Sequence, residues 1–236
     1  MKLKTLTAIP LLFAAASIHA ATVYVDFGSG PDTSGTVNGN YWNVWNPGNN
    51  LDLIDINGTT DTGWNLDSTT TAVVNNRTTL DYVFSYGTYG APSPFNHDNI
   101  ASDALNLTPA QGTRNVRLTT LDISKTYNFQ IYGAREGTTE LRETNYTVLG
   151  ATSGSGFLTT TGTDVGSGGA DYNNNMILTI NGIKPNASGE ILIQYSVKTG
   201  GFGYLNAFTV TEVPEPRAAL LGGLGLLVLL RRRRNA

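Results

Sequence analysis

Nucleophilic and acid–base chemistry would have to be built from few parts in this chain. Its 236 residues hold no cysteine and two histidines, His19 and His97. Without thiols there is no Cys-ligated zinc, no iron–sulfur cluster, no thiol nucleophile and no disulfide framework. A Ser-His-Asp arrangement would run through His97, because His19 belongs to a leader expected to be removed. No G-x-S-x-G elbow frames a serine; Ser155 has Ser153, not glycine, two residues before it. No P-loop, dinucleotide fingerprint or H-E-x-x-H occurs. Carboxylates are plentiful, among them Asp26, Asp52, Asp55, Glu136, Glu140 and Glu143. A glycosidase pair, however, is defined by its separation in space, which spacing along the chain does not give. The residues therefore assign no catalytic group, and the chain is read as non-catalytic.

Binding chemistry has more material. Asp55-Ile56-Asn57-Gly58-Thr59-Thr60-Asp61 alternates oxygen donors around a glycine, the donor type of a structural calcium site. It lacks the third acidic position and the distal Glu of an EF-hand loop, and an Asx turn between two strands explains the same residues. No other cofactor or metal is expected. Trp42, Trp45 and Trp64 are candidate platforms for sugar rings, with Asn40, Asn43 and Asn46 beside the first two to take hydroxyls. Aromatic rings are also the ordinary filling of a β core, so both readings stand at this point. Arg135 and Arg142 offer a clamp for an acidic sugar, while Glu136, Glu140 and Glu143 offer them simpler ion-pair partners. Five Asn-x-Ser/Thr sequons, at Asn57, Asn76, Asn106, Asn145 and Asn186, are unsurprising in a chain this rich in Asn and Thr.

The elements that must position these residues are strands. Thr, Gly and Asn make up more than a third of the chain, and with 11 Tyr, 8 Phe and 3 Trp the mixture favours strands and turns. Alternation of period two recurs between residues 22 and 212. Residues 126–132 place Tyr127, Phe129 and Ile131 on one face; residues 190–197 do the same with Ile191, Ile193, Tyr195 and Val197. Residues 204–210 read as one strand alternating Tyr204, Asn206, Phe208 and Val210. Further strands are expected at 22–27, 51–56, 64–74, 116–121, 145–149, 157–161 and 176–180. Residues 97–104 read as a short helical turn, and 159–175 as a long loop. About ten strands without a long helical pattern predict an all-β chain, a single jelly-roll-like β-sandwich over residues 21–212.

Both ends of the chain read as addresses. Lys2 and Lys4 precede the apolar run 6–16, and Ser17-Ile18-His19-Ala20 has the form of a cleavage region, so residues 1–20 read as a secretory signal peptide. At the other end, Val213-Pro214-Glu215-Pro216 and Arg217 precede an apolar run from Ala218 to Leu230, followed by Arg231, Arg232, Arg233 and Arg234. As a helix this run rises only about 20 Å, against roughly 30 Å of hydrocarbon. It is a marginal transmembrane helix that needs a thinned bilayer or snorkelling arginines. The four arginines act as a cytoplasmic stop-transfer cluster.

Pro214-Glu215-Pro216, a Leu/Gly-rich helix and a terminal Arg cluster resemble the PEP-CTERM sorting signal of Gram-negative bacteria. The resemblance covers residues 213–236. It implies a substrate of exosortase, a membrane-embedded sorting enzyme, reached through the secretion translocon. It also implies an inner-membrane-anchored intermediate that ends at the cell surface or in the extracellular matrix of a biofilm. Tyr132-Gly133-Ala134-Arg135, residues 142–150 and Tyr204-Leu205-Asn206-Ala207-Phe208 are similar to a β-sandwich domain of other PEP-CTERM-tailed proteins, and resemble galactose-binding-like sandwiches.

Charge follows the same division. The formal charge of −3 hides a segment, residues 21–216, with 18 acidic against 8 basic residues. An acidic domain of this kind excludes nucleic acid as a partner. The expected role is structural or adhesive, with binding of extracellular polysaccharide as the alternative and a glycan-active enzyme a distant third.

Overall fold

A computed structural model describes residues 20–27, 34–45, 50–67, 83–85, 91–96 and 103–214. These form fifteen strands and two 3-10 turns. The strands are β1 (Thr22–Asp26), β2 (Gly35–Val37), β3 (Asn40–Val44), β4 (Leu51–Ile54), β5 (Asp61–Asp67), β6 (Val83–Ser85), β7 (Asp103–Leu107), β8 (Thr113–Thr119), β9 (Thr126–Tyr132), β10 (Arg142–Leu149), β11 (Ser153–Thr161), β12 (Leu178–Ile183), β13 (Ile191–Thr199), β14 (Gly203–Leu205) and β15 (Ala207–Val213). Among the described residues no helix is long and apolar enough to cross a membrane. The leader and the expected transmembrane helix lie outside the described residues.

Two six-stranded sheets pack face to face. The first runs β12-β9-β15-β1-β3-β2 and the second β11-β10-β13-β8-β5-β4; a small third sheet, β14-β7-β6, adjoins them. All pairings are antiparallel except β1 with β3. Alternation decides the core, as a period of two requires. Val23, Val25, Phe129, Ile131, Phe208 and Val210 of the first sheet meet Leu66, Val116, Leu118, Tyr146, Val148, Ile191, Ile193 and Tyr195 of the second in one buried cluster.

Part of the outer face of the first sheet is also covered. Tyr24, Trp42, Tyr132 and Ala207 lie there, and the segment 91–96 folds onto them through Ala91 and Phe95. Phe95 stacks on Tyr132 at 5.5 Å and leans on Trp42 at 6.0 Å.

The sheets are joined along both sides. On one side the buried Asn43 amide on β3 donates to the Tyr24 and Ile54 carbonyls at 3.0 and 2.8 Å, and its oxygen accepts from the Ile54 N–H at 2.8 Å. On the other, β11 crosses close to β12. A Cβ at Gly154 or Gly156 would sit 2.5 Å from side-chain methyls of Ile180 or Leu178, so the two glycines let the strands approach without displacing those side chains.

Two expectations are corrected. Residues 204–210 are not one strand: Asn206 separates β14 from β15. Its N–H donates to the Tyr132 carbonyl at 3.0 Å, and its side-chain oxygen accepts from the Ala134 N–H at 2.8 Å. The break shifts the alternation, so Leu205 and Phe208 both enter the main core. Asp103 and Ala104, expected at the end of a helical turn, begin β7 instead.

Candidate functional site

Strand direction gives the sandwich two poles. β1 and β15 are antiparallel neighbours with Thr22 opposite Thr211, and the Glu212 N–H donates to the Ala21 carbonyl at 2.9 Å. The start of β1 and the end of β15 therefore share one pole. β9 pairs Thr126 with Val213 at this pole and reaches the other at Tyr132, opposite Ala207. Seven residues of strand put the poles about 20 Å apart.

At the chain-end pole Asp55 does what its sequence context suggests for a turn. Its Oδ1 accepts from the Asn57 N–H at 3.0 Å, closing an Asx turn, and its Oδ2 accepts from the Thr22 N–H at 3.2 Å. The carboxylate is 3% exposed. Gly58 has the positive φ of 73° that the turn requires. Among the described residues no group of three or more His, Cys, Asp or Glu could hold a metal ion. Pro214 stands exposed just past β15 at this pole. Glu215, Pro216, Arg231, Arg232, Arg233, Arg234 and His97 lie outside the described residues.

The three tryptophans correct the sugar-platform expectation. Trp45 is 1% exposed and meets Phe27 edge-on at 5.7 Å; Trp64 is 4% exposed and meets Tyr127 edge-on at 5.4 Å; both lie in the main core. Trp42, 2% exposed, is enclosed by Tyr24 and Phe95. A stacking platform must show a ring face to solvent, and the area these rings bury holds them inside instead. Trp42 borders a cavity of about 410 Å³ walled by Asn38, Asn40 and Asn96.

At the far pole the segments 133–141 and 162–177 form the facing walls of a cleft. It has a volume of about 530 Å³ and is lined by Glu136, Gly137, Thr138, Thr139, Asp171 and Tyr172. The walls are pinned to one another. The Thr161 hydroxyl lies 2.7 Å from the Thr138 carbonyl and 2.8 Å from the Asp171 carbonyl, sharing its proton between the two sides. Buried Asn173 donates to the Gly133 and Met176 carbonyls at 3.0 and 2.9 Å and accepts from the Met176 N–H at 2.9 Å. The Tyr132 hydroxyl donates to the Asn173 carbonyl at 2.6 Å. Asp171 accepts from the Asp164 N–H at 3.1 Å, and Asn174 accepts from the Ser167 N–H at 2.6 Å. The stretch expected to be a plain loop is thus an ordered one. Asn173, its central residue, carries no sequence signal beyond the Asn173-Asn174-Asn175 run.

Arg135 and Arg142 do come together here, around Tyr204. Arg142 is engaged on every side. Its Nε donates to Glu140 Oε2 at 2.7 Å, another guanidinium nitrogen donates to the Tyr204 hydroxyl, and the group lies 4.9 Å from the Phe202 ring centre. These contacts convert the expected clamp into a structural tie. The hydrogen bond from Arg142, followed by that from the Gly201 N–H, holds the Glu140 carboxyl below its ordinary pKa. Glu143 is held low by Lys198 and Thr199 rather than by an arginine. Burial lowers the Arg135 pKa, with Arg142 adding to the effect and Tyr204 opposing it. The cleft beside this tie offers carboxylates, hydroxyls and one phenol ring, a set suited to hydrogen bonding with a polar ligand.

No protein-family model and no curated protein sequence matches the chain. Several solved structures overlap it in part, including the following two. One is the carbohydrate-binding module TmCBM61, in complex with β-1,4-galactotriose, at 17% identity over 56% of this chain and 88% of that one, with a TM-score of 0.29. The other is the insecticidal δ-endotoxin Cry8Ea1 from Bacillus thuringiensis, at 16% identity over 63% of this chain and a TM-score of 0.34. The chain spans about a quarter of the endotoxin, 26% of its length. Both TM-scores fall short of a common fold.

Proposed function

We propose that this chain is an exported, non-catalytic β-sandwich protein sorted through a PEP-CTERM tail to the cell surface or extracellular matrix, where its role is structural or adhesive. The observation that carries this reading is the order of parts at the C-terminus: Pro214-Glu215-Pro216, a short apolar run, and Arg231 to Arg234. In this reading residues 1–20 pass the chain to the translocon, the arginines stay cytoplasmic, and exosortase takes the tail. The fold is compatible with such a route, because β1 begins and β15 ends at one pole. Four residues, 214–217, separate β15 from the apolar run and reach at most about 14 Å. The anchored intermediate would therefore stand on its chain-end pole. Two largely antiparallel six-stranded sheets support the jelly-roll-like assignment.

Mass spectrometry of the native C-terminus tests the reading. A mature chain ending near Pro216 is the expected result. An intact Arg234-Asn235-Ala236 end, with surface retention unchanged when residues 214–236 are deleted, would contradict it.

Binding of extracellular polysaccharide is the second reading. The polar far-pole cleft favours it; the tryptophans do not. Retention of the protein on a column of matrix polysaccharide tests it, and passage in the void volume would speak against it.

A further inference from the structure

We infer that the far-pole cleft is a saccharide site that takes a neutral, polyhydroxylated ring, with Glu136, Asp171 and Tyr172 as its contact residues. The inference rests on the polysaccharide-binding reading and supplies its place and ligand class.

The chemistry comes from the lining. Glu136 and Asp171 present carboxylate oxygens, Thr138 and Thr139 belong to the same wall as Glu136, and Tyr172 brings a half-buried ring. Sugar hydroxyls are donors, and a hydrogen bond to a charged acceptor is stronger than one to a neutral group. A sugar's C–H face can rest on an aromatic ring whose hydroxyl end stays in polar surroundings. The same carboxylates repel uronate, sulfate and phosphate groups. Arg142 cannot offset that repulsion, because Glu140, Tyr204 and Phe202 already hold it.

Size and rigidity agree with the chemistry. A volume of about 530 Å³ falls in the range of small-ligand sites, roughly 300–1,000 Å³. The walls are fixed before any ligand arrives, by Thr161 between the Thr138 and Asp171 carbonyls and by Asn173 between Gly133 and Met176. Such preorganisation removes much of the ordering cost of binding. Placement agrees as well. The cleft lies at the pole away from Ala21 and Val213, so a tail leaving β15 does not obstruct it.

The test uses the full-length chain in a zwitterionic, sugar-free detergent. Calorimetric titration is run against neutral trisaccharides of glucose, galactose and mannose, and against trisaccharides of uronic acids. At least one neutral trisaccharide is expected to bind, and the uronic acids at least tenfold more weakly. Tyr172→Ala should weaken binding tenfold or more. The conservative, isosteric E136Q should weaken it about threefold, which keeps the test decisive if Tyr172→Ala folds poorly. Trp42→Phe, at the other cavity, should leave affinity unchanged. Neutral-sugar binding that ignores both E136Q and Tyr172→Ala would overturn the site while leaving polysaccharide binding in place. Preference for uronic acids would overturn the ligand class. No binding at millimolar concentration to any trisaccharide would overturn the site together with the polysaccharide reading.

Discussion

The two poles of this sandwich are held by different kinds of bond. At the chain-end pole three turns are closed by their own side chains, while Thr152 ties a fourth to Gly182 and Asp55 also takes the Thr22 N–H. Asp55 takes the Asn57 N–H, Asp122 takes the Ser124 N–H and hydroxyl at 2.9 and 2.7 Å, and Asn186 takes the Ser188 and Glu190 N–H groups at 2.9 and 3.0 Å. These three closures span two to four residues of sequence. At the far pole the contacts that tie one wall to the other are long. Thr161 reaches Thr138 across 23 positions, Asn173 reaches Gly133 across 40, and the Tyr204 N–H donates to the Thr144 hydroxyl across 60. A turn closed by its own side chain keeps its shape without a partner across the pole. Long segments tied to each other at a few points leave room between the ties, and the cleft occupies that room.

The largest expected effect lies in the main core, where Trp64 packs on Tyr127 toward the chain-end pole. Trp64→Ala should cost about 4 kcal/mol of stability, the usual scale for truncating a buried aromatic. Chemical denaturation measures it. A stable variant that lost saccharide binding instead would restore Trp64 as a sugar platform.

Next come the poles themselves. Asn173→Ala should cost about 3 kcal/mol, because it leaves buried polar groups of both cleft walls without their partner. It should abolish ligand binding as well. Asp55→Ala should cost about 2 kcal/mol, through the lost Thr22 and Asn57 contacts, and leave binding intact. Equal loss of binding in the two variants would erase the distinction between the poles.

The smallest effect is electrostatic. Glu140 and Glu143 at the far pole titrate below the ordinary 4.5, and Asp122 at the chain-end pole titrates below the ordinary 3.8, where its bonds from Ser124 lead the causes. A carboxyl whose folded pKa is depressed stabilises fully above its unfolded value and loses that contribution as pH falls through the folded one. All three contributions should therefore be present at neutral pH and fade only on acidification below those ordinary values. Side-chain carboxyl NMR titration checks this, and a Glu140 midpoint at or above 4.5 would remove the Arg142 tie. Asp122 and Glu140 are exposed, so added salt should shrink their shifts, and the half-buried Glu143 should respond less.

The same contrast explains what the sequence shows of itself. Alternation locates β9 at residues 126–132, and it assigns Tyr127, Phe129 and Ile131 inward because a half-buried strand must repeat every two residues. The Asp55 turn is legible because an Asx turn is closed within the segment that encodes it. Asn206 interrupts the alternation through partners at Tyr132 and Ala134, which no local pattern encodes. The tryptophans look like sugar platforms because one-dimensional spacing does not distinguish a ring in a core from a ring on a surface. Both Arg135 and Arg142 are visible as a pair, but their engagement with Glu140, Phe202 and Tyr204 depends on β10 meeting the segment before β14. The cleft escapes sequence reading for the same reason as Asn173: its walls meet only in three dimensions.

Hydrogen exchange tests the division of the molecule most directly. The full-length chain is compared with and without a bound neutral trisaccharide. Added protection is expected only at residues 135–140 and 170–174, with the turns at 55–60, 120–125 and 184–190 unchanged. Protection at those turns, or around Trp42 with none at 170–174, would contradict it.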